Sequence, residues 1–174
     1  MPISYRDAFV PACQQALGGL LTVIDKGESF ARQSDLGDAD LFEARLAEDM
    51  WPLPWHVRSC WMHSAYALEQ LQTGEFTPDF TEIPDDWDAM RAMIAAAQNA
   101  LSKADEATLE AIADKDIAFM LGGQKRFGGK GSVFLLNFHL PNLYFHAATF
   151  YDILRMKGVP LSKMDYMGPL PTGG

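Results

Sequence analysis

Four stretches of this chain carry apolar residues at alternating intervals of three and four, the spacing of one buried helical face. In the first, Val10, Cys13, Leu17, Leu20, Leu21 and Ile24 predict a long helix over residues 4–32, which Pro11 either kinks or enters at its first turn. Val57, Cys60, Trp61, Ala67, Leu68 and Leu71 predict a second over residues 55–72, closed by Gly74. Asp85 and Asp86 open a third, with Trp87, Met90, Met93, Ile94, Ala97 and Leu101 as its stripe. The fourth spans residues 141–157, with Pro141 in its first turn, Leu143, His146, Ala147, Phe150 and Leu154 along it, and Arg155, Lys157 and Gly158 at its end. Helices of that length with one apolar stripe bury it against one another, so a mainly α architecture follows. The 174 residues fit one core, and a single domain over residues 1–174 is expected.

The connections read differently. Asp35-Leu36-Gly37-Asp38 supplies turn chemistry, and residues 39–50 form a short helix or lead into the second long one. Residues 75–84 read as a loop packed by Phe76 and Phe80. Between Asp105 and Phe134 the run Ile117-Ala118-Phe119-Met120-Leu121 and the glycines after it predict a strand and a small β-hairpin rather than more helix. Gly129-Lys130-Gly131-Ser132 breaks the ending that a phosphate-binding loop requires, which leaves a solvated turn. The tail from Val159 onward, rich in proline and glycine, is expected to run extended over the surface.

Charge narrows the partners. Lys and Arg number 14 against 23 Asp and Glu, a net −9 that repels a phosphate backbone, so nucleic acid is not expected as a partner. No run reaches the roughly 18 apolar residues of a membrane span, and the charged opening residues give no expectation of a secretory signal. Cys13 and Cys60 form no metal-ribbon or disulfide pattern and suit a reduced cytoplasm.

The four histidines fall into two segments, His56 and His63 on the second helix and His139 and His146 at the start of the last. Residues seven apart on one helix stand about 10.5 Å apart, too far to share one ion, so one histidine from each helix is the more feasible pairing. Metal and ligand sites between facing helices are built in this way. His139 is expected to cap or precede the last helix, and His146 to hydrogen-bond Asn142 across one turn.

The segment His146-Ala147-Ala148-Thr149-Phe150-Tyr151-Asp152-Ile153-Leu154-Arg155-Met156-Lys157-Gly158 resembles the last helix of the DinB/YfiT-like superfamily, where a histidine is followed by Leu-Arg and then Gly at the same offsets. Phe138-His139-Leu140-Pro141-Asn142-Leu143-Tyr144-Phe145-His146 and Gly158-Val159-Pro160-Leu161-Ser162-Lys163-Met164-Asp165 are similar to the signatures of an uncharacterised bacterial branch of it, a domain of unknown function. Arg45-Leu46-Ala47-Glu48-Asp49-Met50 matches that branch too, and the resemblance covers essentially the whole chain. It implies a four-helix bundle with an up-down-down-up course, often dimeric. The better-known relatives bind zinc or nickel through three histidines and include thiol-dependent transferases and isomerases. Where those relatives have a histidine four residues before position 146, this chain has Asn142, a weak neutral oxygen ligand. His56, Cys60 or His63 would supply the ligand from the second helix.

Three functions compete on this basis. The leading expectation is a small molecule held in an interhelical cavity near His146, Asn142, His56 and His63, with Tyr144 and Trp55 among its lining aromatics and no reaction assigned. No cofactor is expected under it. The second is a zinc- or nickel-dependent enzyme with His146, His56 and His63 as ligands. The third is a structural homodimer whose aromatic face is its interface.

Overall fold

The computed structural model describes residues 2–168, and it is mainly helical with one small sheet. Helix α1 (Tyr5–Gln33) starts where the Ser4 hydroxyl accepts from the Asp7 amide, and it runs unbroken through Pro11. Pro11 cannot donate to the Asp7 carbonyl, yet the helix continues through it, so no separate first turn forms. After α2 (Asp38–Phe42), which ends well before residue 50, the second long helix begins with Pro54 in its first turn. It consists of α3 (Leu53–Trp61), a π turn (Met62–Tyr66) and α4 (Ala67–Leu71) without a break. The Ser64 hydroxyl donates to the Cys60 carbonyl at 2.6 Å, partnering a group that the widened turn displaces.

Strand β1 (Glu75–Phe76) and helix α5 (Trp87–Ser102) follow, α5 capped by the Asp86 carboxylate on the Ala89 amide. Helix α6 (Glu106–Asp114) stands where no helix was expected. Asp105 caps it through the Thr108 amide, and Leu109, Ile112 and Ala113 are its short apolar face. The hairpin is present: β2 (Asp116–Leu121) pairs antiparallel with β3 (Gln124–Lys130), while β1 pairs parallel to β2, giving the order β1-β2-β3. Gly122 and Gly123 turn the hairpin at φ 61° and 73°, left-handed values that an L side chain resists. Phe76, on β1 of this sheet, is buried, whereas Phe80 is 42% exposed and packs beside Trp51 and Trp55.

The last long helix starts ten residues ahead of Pro141. It consists of α7 (Gly131–Val133), a π turn (Phe134–His139) and α8 (Leu140–Met156). An interior proline clashes with the carbonyl four residues back; here the turn before it is widened, and the Asn142 side-chain amide donates to the Phe138 carbonyl at 2.7 Å. His139 is therefore inside a helix rather than at its cap. The tail is not simply extended, because α9 (Lys163–Met167) forms over a Ser162/Asp165 capping box and is held to α1 by Lys26–Asp165 at 2.7 Å. A Cβ on Gly19 would meet the Tyr166 carbonyl oxygen at 2.0 Å, so only glycine lets α9 lie this close. Residues 169–174 of the expected tail lie outside the described residues.

Helix α1 packs on α5 and α8, and α3 packs on the same two. Phe9, Leu17, Ile24, Val57, Met90, Ile94, Leu143 and Phe150 fill the space between them with essentially no exposure. Burial of such side chains contributes about 1.5–3 kcal/mol each, which fixes α3 against α8 and so the histidines they carry.

Candidate functional site

Nδ1 of His56 on α3 lies 3.0 Å from Nδ1 of His146 on α8. Seven residues on, Nδ1 of His63 in the first π turn lies 3.1 Å from Nδ1 of His139 in the second. Advancing along one helix and retreating equally along the other is the relation of antiparallel neighbours. The His63 and His146 rings lie parallel within 8° at 5.9 Å between centroids, so the two pairs form one cluster. All four are more than nine-tenths buried. Burial pushes the acidity constants of His63, His139 and His146 down to about 3, reinforced by neighbouring imidazoles for His63 and His146. His56 is lowered by burial as well, against a raising effect from its bond to the Trp51 backbone. Near neutral pH the cluster is uncharged.

Neutral imidazole has one donor nitrogen and one acceptor, so the partners fix the tautomers. His56 Nε2 lies 3.1 Å from the Trp51 carbonyl, which can only accept. His56 therefore carries its hydrogen on Nε2 and accepts at Nδ1, His146 donates from Nδ1, and His146 Nε2 is left as a bare lone pair. Among the described residues that atom has no hydrogen bond, and it is not one of the fully buried atoms left without a partner, so it reaches the surface. In the other pair His139 Nε2 is buried and unpartnered. Donation from His139 Nδ1 to His63 avoids stranding an N–H there.

Aromatic rings surround the outlet. Trp51 lies 6.1 Å from the His146 ring and parallel within 13°, and Phe145 stands edge-on to it at 5.1 Å. Trp51 is 39% and Phe145 54% exposed, so this surface faces solvent. Trp55 packs on Trp51 at 4.9 Å, and Phe80 covers both. Phe80 arrives there because buried Arg58 grips its loop: Nε donates to the Glu82 carbonyl at 2.8 Å and Nη2 lies 2.8 Å from Asp79 Oδ1. The hydroxyl of Thr81, above all, and then Arg58 hold the Asp79 carboxyl below its ordinary range.

The other expected site residues are elsewhere or otherwise engaged. Asn142 does not bond His146; its amide serves the Phe138 carbonyl. Tyr144 lines a separate cavity of about 250 Å³ with Ala12, Gln15, Ala16, Tyr166 and Met167. Cys60 Sγ is 3.8 Å from the Leu143 carbonyl, and burial pushes its thiol well up, which makes it a core residue. Sequence reasoning missed the roles of His139, Arg58 and the Trp51 carbonyl. The equal spacing of seven in both histidine pairs was the available signal for the first.

Residues 5–167 match the family described as Domain of unknown function (DUF1993). The chain belongs to the DUF1993 family. No curated protein matches this DUF1993 chain. Among solved structures it is similar to a DinB family member protein from Shewanella denitrificans, at 27% identity and a TM-score of 0.83, over 97% of this chain and 94% of that one.

A DinB-like fold raises the question of a metal, and the donors of this DUF1993 chain do not fit the three-histidine set. Imidazoles that share an ion direct their nitrogens to one point about 2.0–2.1 Å from each. Here the nitrogen contacts form two disjoint pairs, and His63 lies beside His146 ring to ring. Among the described residues no three His, Cys, Asp or Glu side chains gather as a metal would require. Nor is any described helix long and apolar enough to cross a membrane.

Proposed function

We propose that this DUF1993 protein is a binding module: a single DinB-like domain, its four long helices in an up-down-down-up bundle, that holds a small molecule where the His56–His146 pair reaches the surface. The observation that carries the reading is the unpartnered Nε2 of His146, on a ring that packs against the exposed Trp51 and Phe145. A ligand there meets an acceptor of fixed character beside apolar ring faces, the usual composition of a small-molecule site. The site is thus narrower than an interhelical cavity and takes Trp51 and Phe145 in place of Asn142 and Tyr144.

A fragment screen by thermal shift on untagged protein, with elemental analysis alongside, tests this. Bound fragments raise the melting temperature by mass action, and His146→Phe reduces the rise for fragments that donate a hydrogen bond. Close to one zinc or nickel per chain would overturn the reading in favour of a metal-dependent enzyme. A screen without hits, together with a dimer that dissociates on Trp51→Ser, would overturn it in favour of the interface role.

A further inference from the structure

The directionality of the histidine pair limits what the site can take. The Trp51 carbonyl has no hydrogen to give, so the chain of donors runs one way, from His146 through His56 to the backbone. His146 Nε2 can accept a hydrogen bond and cannot offer one. Reversing the direction would place two lone pairs face to face at 3.1 Å between His56 Nε2 and the Trp51 oxygen, with no water between them.

The surroundings of Nε2 add two constraints. The Trp51 and Phe145 rings meet His146 face-on and edge-on, at interplanar angles of 13° and 82°, and exposed ring faces of this kind favour an aromatic body that can stack or meet them edge-on. Arg58, the cation tied to this aromatic group among the described residues, is ion-paired with Asp79, and the chain carries a net −9. An anionic oxygen brought to Nε2 would meet a lone pair and a negative protein.

We infer that the His146 site selects planar aromatic molecules bearing a neutral hydrogen-bond donor, of the phenol or indole kind, and rejects both their O-methylated counterparts and aromatic carboxylates. This rests on the site assignment above and adds the class of ligand.

Phenol, anisole and benzoate are the probes, titrated against the full chain with tryptophan fluorescence as the signal. Phenol is expected to bind about tenfold more tightly than anisole, the effect of one hydrogen bond to a group otherwise left unpartnered, with benzoate weaker still. His146→Phe should bring phenol and anisole level. Because that variant disturbs His56, a second measurement needs no mutation: ¹⁵N–¹H correlation of the histidine rings should show His146 protonated at Nδ1 and His56 at Nε2. Anisole binding as well as phenol, or preferred binding of benzoate, would overturn the ligand class while leaving the binding site standing. Binding of neither phenol nor anisole would overturn the class too, and a fragment screen with hits would then preserve the site alone. A His146 ring protonated at Nε2 would overturn the directionality itself.

Discussion

Acidification is the perturbation to which this fold is most exposed. His63, His139 and His146 titrate near 3 when folded and near the ordinary 6.5 when unfolded. The unfolded chain therefore binds more protons below about pH 6.5, and stability must fall as the pH drops through that value and go on falling toward about 3. At pH 5 each such imidazole is about 1.5 units below its unfolded constant, worth about 2 kcal/mol. Three together approach 6 kcal/mol, comparable with the roughly 5–15 kcal/mol that stabilise a whole domain. The carboxylates held low, Asp79 by Thr81 and Arg58, Asp165 by Lys26 and Ser162, and Asp105 by Thr108, lose their contribution only below about pH 4, outside this window. Urea unfolding followed by circular dichroism at constant ionic strength, from about pH 8 to about pH 5, reads the slope directly. The double variant His63→Phe/His139→Leu should lose roughly half of it or more, since two of the four lowered imidazoles are gone. A stability constant to within about 1 kcal/mol over that interval would refute the reasoning, because the imidazoles would then accept protons without leaving their pairs.

Other substitutions separate the parts of the structure. Arg58→Met leaves the Asp79 and Glu82 partners behind and frees the Phe80 loop, so a loss of about 3 kcal/mol in urea unfolding is expected, with a red shift of tryptophan emission as Trp51 and Trp55 meet water. Asn142→Leu should cost about 1 kcal/mol through the unpaired Phe138 carbonyl and leave phenol affinity unchanged; a large loss of ligand binding would return Asn142 to the site. Gly19→Ala forces a carbon into the Tyr166 carbonyl and should displace α9, which limited proteolysis after Lys163 would detect as faster cleavage with the helical signal retained.

The four long helices were legible because their apolar residues recur every three or four positions, a pattern set by burial of one face. Helix α6 was not, because its apolar face spans only Leu109, Ile112 and Ala113, and the strand-like run just beyond it dominates any window that includes both. The start of the last helix was misplaced for a different reason. Proline normally marks a first turn, and nothing local announces a π turn that lets Pro141 lie deep inside. At the site, residue type and helix phase brought out His56 and His146, but the hydrogen-bond direction depends on a backbone carbonyl. Arg58 escaped notice because an arginine on a helix is ordinarily solvated, and only the fold shows it buried beneath its own loop.

That backbone carbonyl has a consequence for any mutational survey of the protein. The acceptor that orients both imidazoles is a peptide oxygen, so no exchange of the Trp51 side chain deletes it, and alanine scanning would score the position only for its indole. The element that holds the oxygen in place is the Pro52-Leu53-Pro54 segment, where Pro52 confines Trp51 ahead of it to extended backbone and Pro54 stiffens the first turn of α3. Stiffness rather than chemical identity is then the inheritance that keeps the histidines wired in one direction, and loosening this corner with glycine would scramble the wiring while every histidine remained in place.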